Sequence, residues 1–144
     1  MNYHVSKTGS DLNPGTESQP FLTISKAAYV AKPGDVITVH EGVYREWVSP
    51  KRGGTKAQPI VYQAAPGEKV VIKGSEVITD WERDGNIWKT VIDNKFFGDF
   101  NPYSEVLFGD WLFTRDRVFH LGEVYLNGRA MYEAVSVEEV RDPQ

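Results

Sequence analysis

An all-β chain that starts as a short solenoid and continues into an antiparallel β unit is the fold class the sequence predicts, and three observations predict it. Short runs rich in β-branched residues alternate with Gly, Pro and Asx turn formers through the first half of the chain. Offsetting the sequence by 24 residues lays apolar run on apolar run and turn on turn. Two Asx-Gly dipeptides, Asp84-Gly85 and Asn127-Gly128, mark tight hairpins in the second half.

Taken in order, Tyr3 to Val5 reads as a short strand, and Gly9 to Thr16, rich in Gly, Pro and Asx residues, as a loop. Thr23 stands where an N-cap belongs, and Ile24, Ala27, Ala28 and Ala31 follow at the spacing of one helical face. Lys32-Pro33-Gly34 stops that helix, whose small apolar face can lie close against what it covers. Strand runs follow at Val36 to Val39, Gly42 to Val48, Ile60 to Tyr62 and Val70 to Ile72. The 24-residue offset aligns Val36 with Ile60, Ile37 with Val61, Gly42 with Pro66 and Val48 with Ile72. Stacked coils produce such a period, because each coil buries its apolar side chains only by lying on the next.

Closing a hairpin on Asp84-Gly85 sets Trp81 opposite Trp88, Asp80 opposite Lys89 and Thr79 opposite Thr90, all favourable pairs. Asn127-Gly128 pairs Tyr125 with Ala130 and Val124 with Met131, which makes the tail antiparallel β rather than more solenoid. The last residues, from Val135, read as an acidic tail.

Composition narrows the function classes. The chain has 144 residues, 40% hydrophobic and 25% charged, which is globular composition. Sixteen Lys and Arg against 20 Asp and Glu give a formal charge of −4, so a broad basic nucleic-acid surface is not expected. With no cysteine there is no disulfide framework, thiol chemistry or cysteine-ligated metal. The start, Met1 to Lys7, lacks the apolar core of a signal peptide, and no apolar stretch is long enough to span a bilayer. A cytoplasmic protein with no membrane or nucleic-acid partner is the expectation.

Candidate chemistry is sparse. Two carboxyls held roughly 5–10 Å apart can divide acid and base or nucleophile roles between them. The pairs that sequence proximity offers are Glu41 with Glu46, Glu82 with Asp84, and Glu138 with Glu139, and each fits an ordinary solvated or surface-paired role better. His4, His40 and His120 show no metal-binding spacing, so neither a metal nor a cofactor is expected. Asp11 to Gly15 superficially suits a calcium loop, but Leu22 occupies the position where an EF-hand needs Glu. Lys51 to Lys56 is basic and Gly-rich without the phosphate-loop pattern. The aromatic residues, 4 Trp, 7 Tyr and 7 Phe, crowd between Phe96 and Phe119. Sugars lay C–H faces on aromatic rings while their hydroxyls bond to polar neighbours, so Asp110 beside Trp111 is the candidate sugar contact, with packing as the competing role for Trp111.

Several segments together resemble the opening of right-handed parallel β-helix proteins found among carbohydrate-active families. They are Tyr3 to Asp11, Asn13 to Thr16, Gln19 to Ile24, Lys32 to Asp35 and Gly42 to Glu46. A narrower likeness, to the start of glycoside hydrolase family 120, rests on Val39 to Val48, Tyr62 to Ala65, Gly67 to Glu76, Phe96 to Tyr103, Phe108 to Leu112 and Leu121 to Gly128. The characterised members of that family are β-xylosidases. The resemblance implies the start of a right-handed parallel β-helix with an N-terminal capping α-helix, followed by the beginning of an inserted β-sandwich. Residues 1–93 would hold the cap, first coils and hairpin, and 94–144 the start of the sandwich. It also implies a xylo-oligosaccharide or related glycoside as ligand, and catalytic carboxylates in later coils beyond residue 144, so that the chain alone is inactive. Two other readings stand beside it: a polysaccharide-lyase-like β-helix enzyme, and a non-catalytic carbohydrate-binding or assembly piece. In the last, the uncapped coil end would pair with a second copy as a homo-oligomer.

Overall fold

The computed structural model describes residues 1–113 and 117–143, and is mostly β with few helices. Contacts divide the chain into two compact units, Met1–Val77 and Ile78–Gln144, so the Asp84-Gly85 hairpin falls within the second. In chain order the first unit holds β1 (Asn2–Val5), α1 (Ile24–Val30), β2 (Val36–Val39), β3 (Gly42–Arg45), β4 (Val61–Ala64) and β5 (Val70–Lys73). β1, β2 and β4 form one parallel sheet in that order, and β3 pairs in parallel with β5 in another.

Strand stacks on strand as the offset predicts, but the spacing is corrected. Val36 pairs with Val61, a step of 25, and Gly42 with Val70, a step of 28. All four residues of β4 are exposed, so no buried-exposed alternation in that strand pins its register, and Ile60 and Val61 look alike to a pattern search. The longer step of β5 comes from the turn at Ala65, where the Glu68 N–H donates to the Ala65 carbonyl at 3.0 Å and Gly67 takes φ +78°.

The core gathers Val5, Phe21, Ile24, Ala27, Ala31, Ile37, Val39 and Tyr44. α1 forms as its spacing predicts. The Thr23 hydroxyl accepts the Lys26 N–H at 3.0 Å, and Ile24, Ala27 and Ala28 turn inward. A carboxyl group completes that helix start, since Glu46 accepts the N–H groups of Ile24 (3.0 Å) and Ser25 (2.8 Å) and the Ser25 hydroxyl (2.5 Å). Glu46→Ala should therefore lower stability by about 1–3 kcal/mol. A urea midpoint would read this, with Glu41→Ala, whose side chain has no hydrogen bond among the described residues, as the silent control.

The loop before α1 is tied by Asp11, whose carboxylate accepts from Leu22 N (3.0 Å), Thr23 N (2.9 Å) and the Thr23 hydroxyl (2.8 Å). This is an Asx-rich turn. Asp35 binds the amino-terminal ammonium and the Lys32 N–H. The ammonium is the larger of the two influences that hold its carboxyl below the usual range. Glu68 is held down likewise, by the Glu41 N–H first and His40 second. Both groups bind protons less readily folded than unfolded, so their stabilisation is present above the ordinary carboxyl range. It is lost as pH falls through the depressed values, below about pH 4. Acid unfolding followed by circular dichroism should show Asp35→Asn flattening part of that loss.

The second unit contains β6 (Glu82–Asp84), β7 (Ile87–Lys89), a 3-10 helix at Asn94–Phe97, β8 (Tyr125–Leu126), β9 (Arg129–Ala130) and α2 (Val137–Arg141). The β8–β9 hairpin has the predicted register, Tyr125 opposite Ala130, and Met131 N donates to Val124 O at 2.8 Å. Asn127 (φ 51°) and Gly128 (φ 80°) are both left-handed, as a type I′ loop requires.

The other hairpin is shifted from the predicted pairing. Arg83 faces Trp88 and Glu82 faces Lys89, so its loop is Gly85-Asn86 and Trp81 lies outside the ladder. Gly85 alone takes positive φ (64°) there, which suits the first loop position of a type II′ turn. Asp84 stays in the strand, with Arg141 at 2.9 Å and Lys89 at 3.7 Å. An antiparallel bridge joins Val106 to His120. The acidic tail is partly helical: Ser136 caps α2 by accepting the Glu139 N–H at 3.2 Å. Among the described residues, no helix is long and apolar enough to cross a membrane.

Candidate functional site

One carboxylate of each pair that sequence proximity offers is occupied by structural work. Glu46 caps α1, Asp84 holds two cations, and Glu139 accepts from Val135 N and from Arg117, each at 2.9 Å. Arg45 reaches Ser75 rather than its neighbouring glutamates. A glycosidase general acid needs its carboxyl raised toward neutral pH. Among the described residues, the displaced carboxyls Asp35, Glu68, Glu133, Glu138 and Glu139 all move the other way.

The aromatic-dense stretch separates into a packed and an open part. Phe96 and Phe97 meet edge to face at 5.2 Å, Phe97 lies 5.6 Å from Tyr103, and the Tyr103 hydroxyl donates to the Glu123 carbonyl at 2.9 Å. Gly122 permits that arrangement, since a Cβ there would stand 2.4 Å from the Tyr103 ring. Phe108 and Trp111 are more exposed than Phe96 and Tyr103, Trp111 at 71%.

Asp110 and Trp111 sit together on a turn closed by Leu112 N donating to Gly109 O at 3.1 Å. The indole folds back over Gly109, where a Cβ would meet its Nε1 at 2.4 Å. Asp110 makes no hydrogen bond or ion pair among the described residues, which leaves an open aromatic face beside a free carboxylate. A groove in the same unit is lined by Leu107, Leu112, Phe119, His120, Glu123 and Glu133, and Asp110 and Trp111 do not line it. In it, Glu133 accepts the His120 N–H at 2.9 Å and meets the His120 ring, which holds the Glu133 carboxyl down.

The histidines, unremarkable by spacing, do meet in part. His4 and His40 stack at 5.2 Å, and His40 reaches Glu68 at 3.1 Å. The parallel register of β1 on β2 places position 4 within reach of position 40, a signal that appears only once the strands are paired. Among the described residues, no three His, Cys, Asp or Glu side chains converge as metal ligands.

A family model described as the glycoside hydrolase 120 insertion domain matches residues 78–144, the second compact unit. A model described as a protein of unknown function, DUF1565, matches residues 7–51. The solved complex of XylC with xylose matches the whole chain with 58% identity and a TM-score of 0.94. The second unit carries the glycoside hydrolase family 120 insertion domain, within a chain that matches XylC throughout. A further solved structure, described as a glycoside hydrolase, matches 60% of this chain at 29% identity with a TM-score of 0.50, over 17% of its own length. YwoF of Bacillus subtilis (strain 168), described as uncharacterized, is 39% identical over 74 residues, 51% of this chain. The chain spans 23% of the XylC chain and 16% of YwoF.

Proposed function

We propose that this chain acts as the amino-terminal part of a glycoside hydrolase that cleaves β-xylosides and xylo-oligosaccharides. In this reading its first unit is the capped start of a right-handed parallel β-helix, and the residues beyond it begin an inserted β-sandwich. The single observation that carries the substrate is the 58% identity along the entire chain to XylC, a protein solved with xylose. The stacked parallel strands, with α1 laid over their apolar face, support the β-helix assignment.

Asp110 and Trp111 are the sugar contacts in this reading, supported by the open indole and the unengaged carboxylate beside it. The acid and nucleophile lie outside residues 1–144, which the downward displacement of the shifted carboxyls supports. In the longer protein that contains this chain, Trp111→Ala should raise KM for xylobiose about tenfold with kcat nearly unchanged, the loss of about one aromatic contact. Xylose release measured against substrate concentration checks this. An unchanged KM would remove Trp111 from the sugar site, and unsaturated products from a polyuronate, with no xylose released from xylobiose, would replace the hydrolase reading with a lyase.

A further inference from the structure

Three successive passes of the chain in the first unit are joined by side chains at one place. His4 belongs to β1, His40 follows β2, and Glu68 lies between β4 and β5. The His4 Nδ1 and His40 Nε2 atoms are 3.0 Å apart, with the rings stacked at 22°. The His40 Nδ1 lies 3.1 and 3.3 Å from the two Glu68 oxygens, and Glu68 also accepts the Glu41 N–H at 2.6 Å.

A carboxylate held below its usual range can only accept, so the His40 Nδ1 carries a hydrogen. The His40 Nε2 of the neutral ring is then an acceptor, and His4 must donate to it from Nδ1. Adding one proton to His40 reverses the direction of that bond without breaking it, because a neutral His4 can present a bare Nδ1. Adding a second aims two N–H groups at each other across 3.0 Å, and the bond is lost.

We propose that His4, His40 and Glu68 form a shared-proton ladder, a pH-sensitive clasp that fastens these three passes while at least one imidazole is neutral and releases when both are charged. The remaining charged and titratable groups around it do not substitute for that proton. Glu41 contributes its backbone N–H, and the Tyr44 hydroxyl donates to the His40 carbonyl at 2.9 Å. The Lys7 ammonium stands 5.1 Å from the centre of the Tyr44 ring, and Glu46 is spent on α1. Lys69, next to Glu68, forms no ion pair among the described residues. The closed clasp has room for one shared proton between the two rings, so it opens only on double protonation.

Long-range proton–nitrogen NMR of the 144-residue chain between pH 8 and 5 tests this, with His120 assigned by His120→Gln. At pH 8 both His4 and His40 should carry their hydrogen on Nδ1. Each ring should then respond in both steps of a two-step titration, because the steps belong to the pair. His4→Gln should remove the second step from the His40 resonances. Finding His40 with its hydrogen on Nε2, or each ring titrating in a single independent step in the unsubstituted chain, would overturn the clasp. Both of those readings need only the His120 assignment and no change at His4, so they decide the matter even where His4→Gln does not fold.

Discussion

Ile37→Ala is expected to unfold the amino-terminal unit under conditions where the unsubstituted chain is folded. Ile37 is fully buried in the middle strand of the β1-β2-β4 sheet, opposite Tyr3 on one side and Tyr62 on the other. Removing a buried isoleucine side chain to its β-carbon costs about 2–5 kcal/mol, and a domain of this size has only about 5–15 kcal/mol to lose. The unit also begins at a disadvantage. Its last pass, β4 and β5, is largely exposed, and Ile24, Val39, Val48, Tyr62, Val70 and Ile72 line an open apolar groove at that end. Thermal melts by circular dichroism should show Tm falling by more than about 10 °C. Ile37→Val should cost only about 0.5–1.5 kcal/mol. A melt unchanged by Ile37→Ala would mean that this strand does not organise the core.

Gly9→Ala is the second large effect. A Cβ on Gly9 would stand 2.4 Å from the Phe21 carbonyl oxygen and 2.5 Å from that of Pro20, both main-chain atoms that no rotamer change can move. Those same carbonyls accept Ser6 N at 2.9 Å and Ser10 N at 3.1 Å, bonds that hold the loop against the end of β1. Relieving the clash means separating these strands of chain and giving up both bonds, together with the Val5–Phe21 bridge. The expected loss is about 2–4 kcal/mol, from overpacking plus broken main-chain hydrogen bonds. Gly53→Ala is the matched control, since nothing lies within 4 Å of its added Cβ, and it should stay within about 0.5 kcal/mol. Urea midpoints of the two variants side by side decide whether the glycine is demanded by close approach or merely tolerated.

Where local chemistry alone specifies an element, the sequence was enough to read it. Thr23 with its following apolar spacing marks α1, and Asn127-Gly128 sets a hairpin register, because both signals lie within a few residues of what they control. The Asp84-Gly85 dipeptide misleads by one position, because Asp84 is better used in the strand facing two cations than in a left-handed turn. α2 carried a readable signal, Ser136 three residues before Glu139, that the acidity of the tail masks.

The site was less legible. Asp110 and Trp111 can be picked out as a candidate sugar-contact pair, but only the fold separates the open Trp111 from Phe97 and Tyr103, whose rings meet each other. The Glu46 cap and the His4–His40–Glu68 ladder depend on contacts between residues more than twenty positions apart, which no spacing rule in one sequence reveals.

The most direct test of the account places the purified 144-residue chain and the longer protein that contains it side by side on a nitrophenyl β-xyloside. The expected result is no nitrophenol release above the blank from the chain alone, and release with xylose as co-product from the longer protein. Turnover by the chain alone, abolished by replacing one of its own carboxylates, would contradict it by placing the acid pair within residues 1–144.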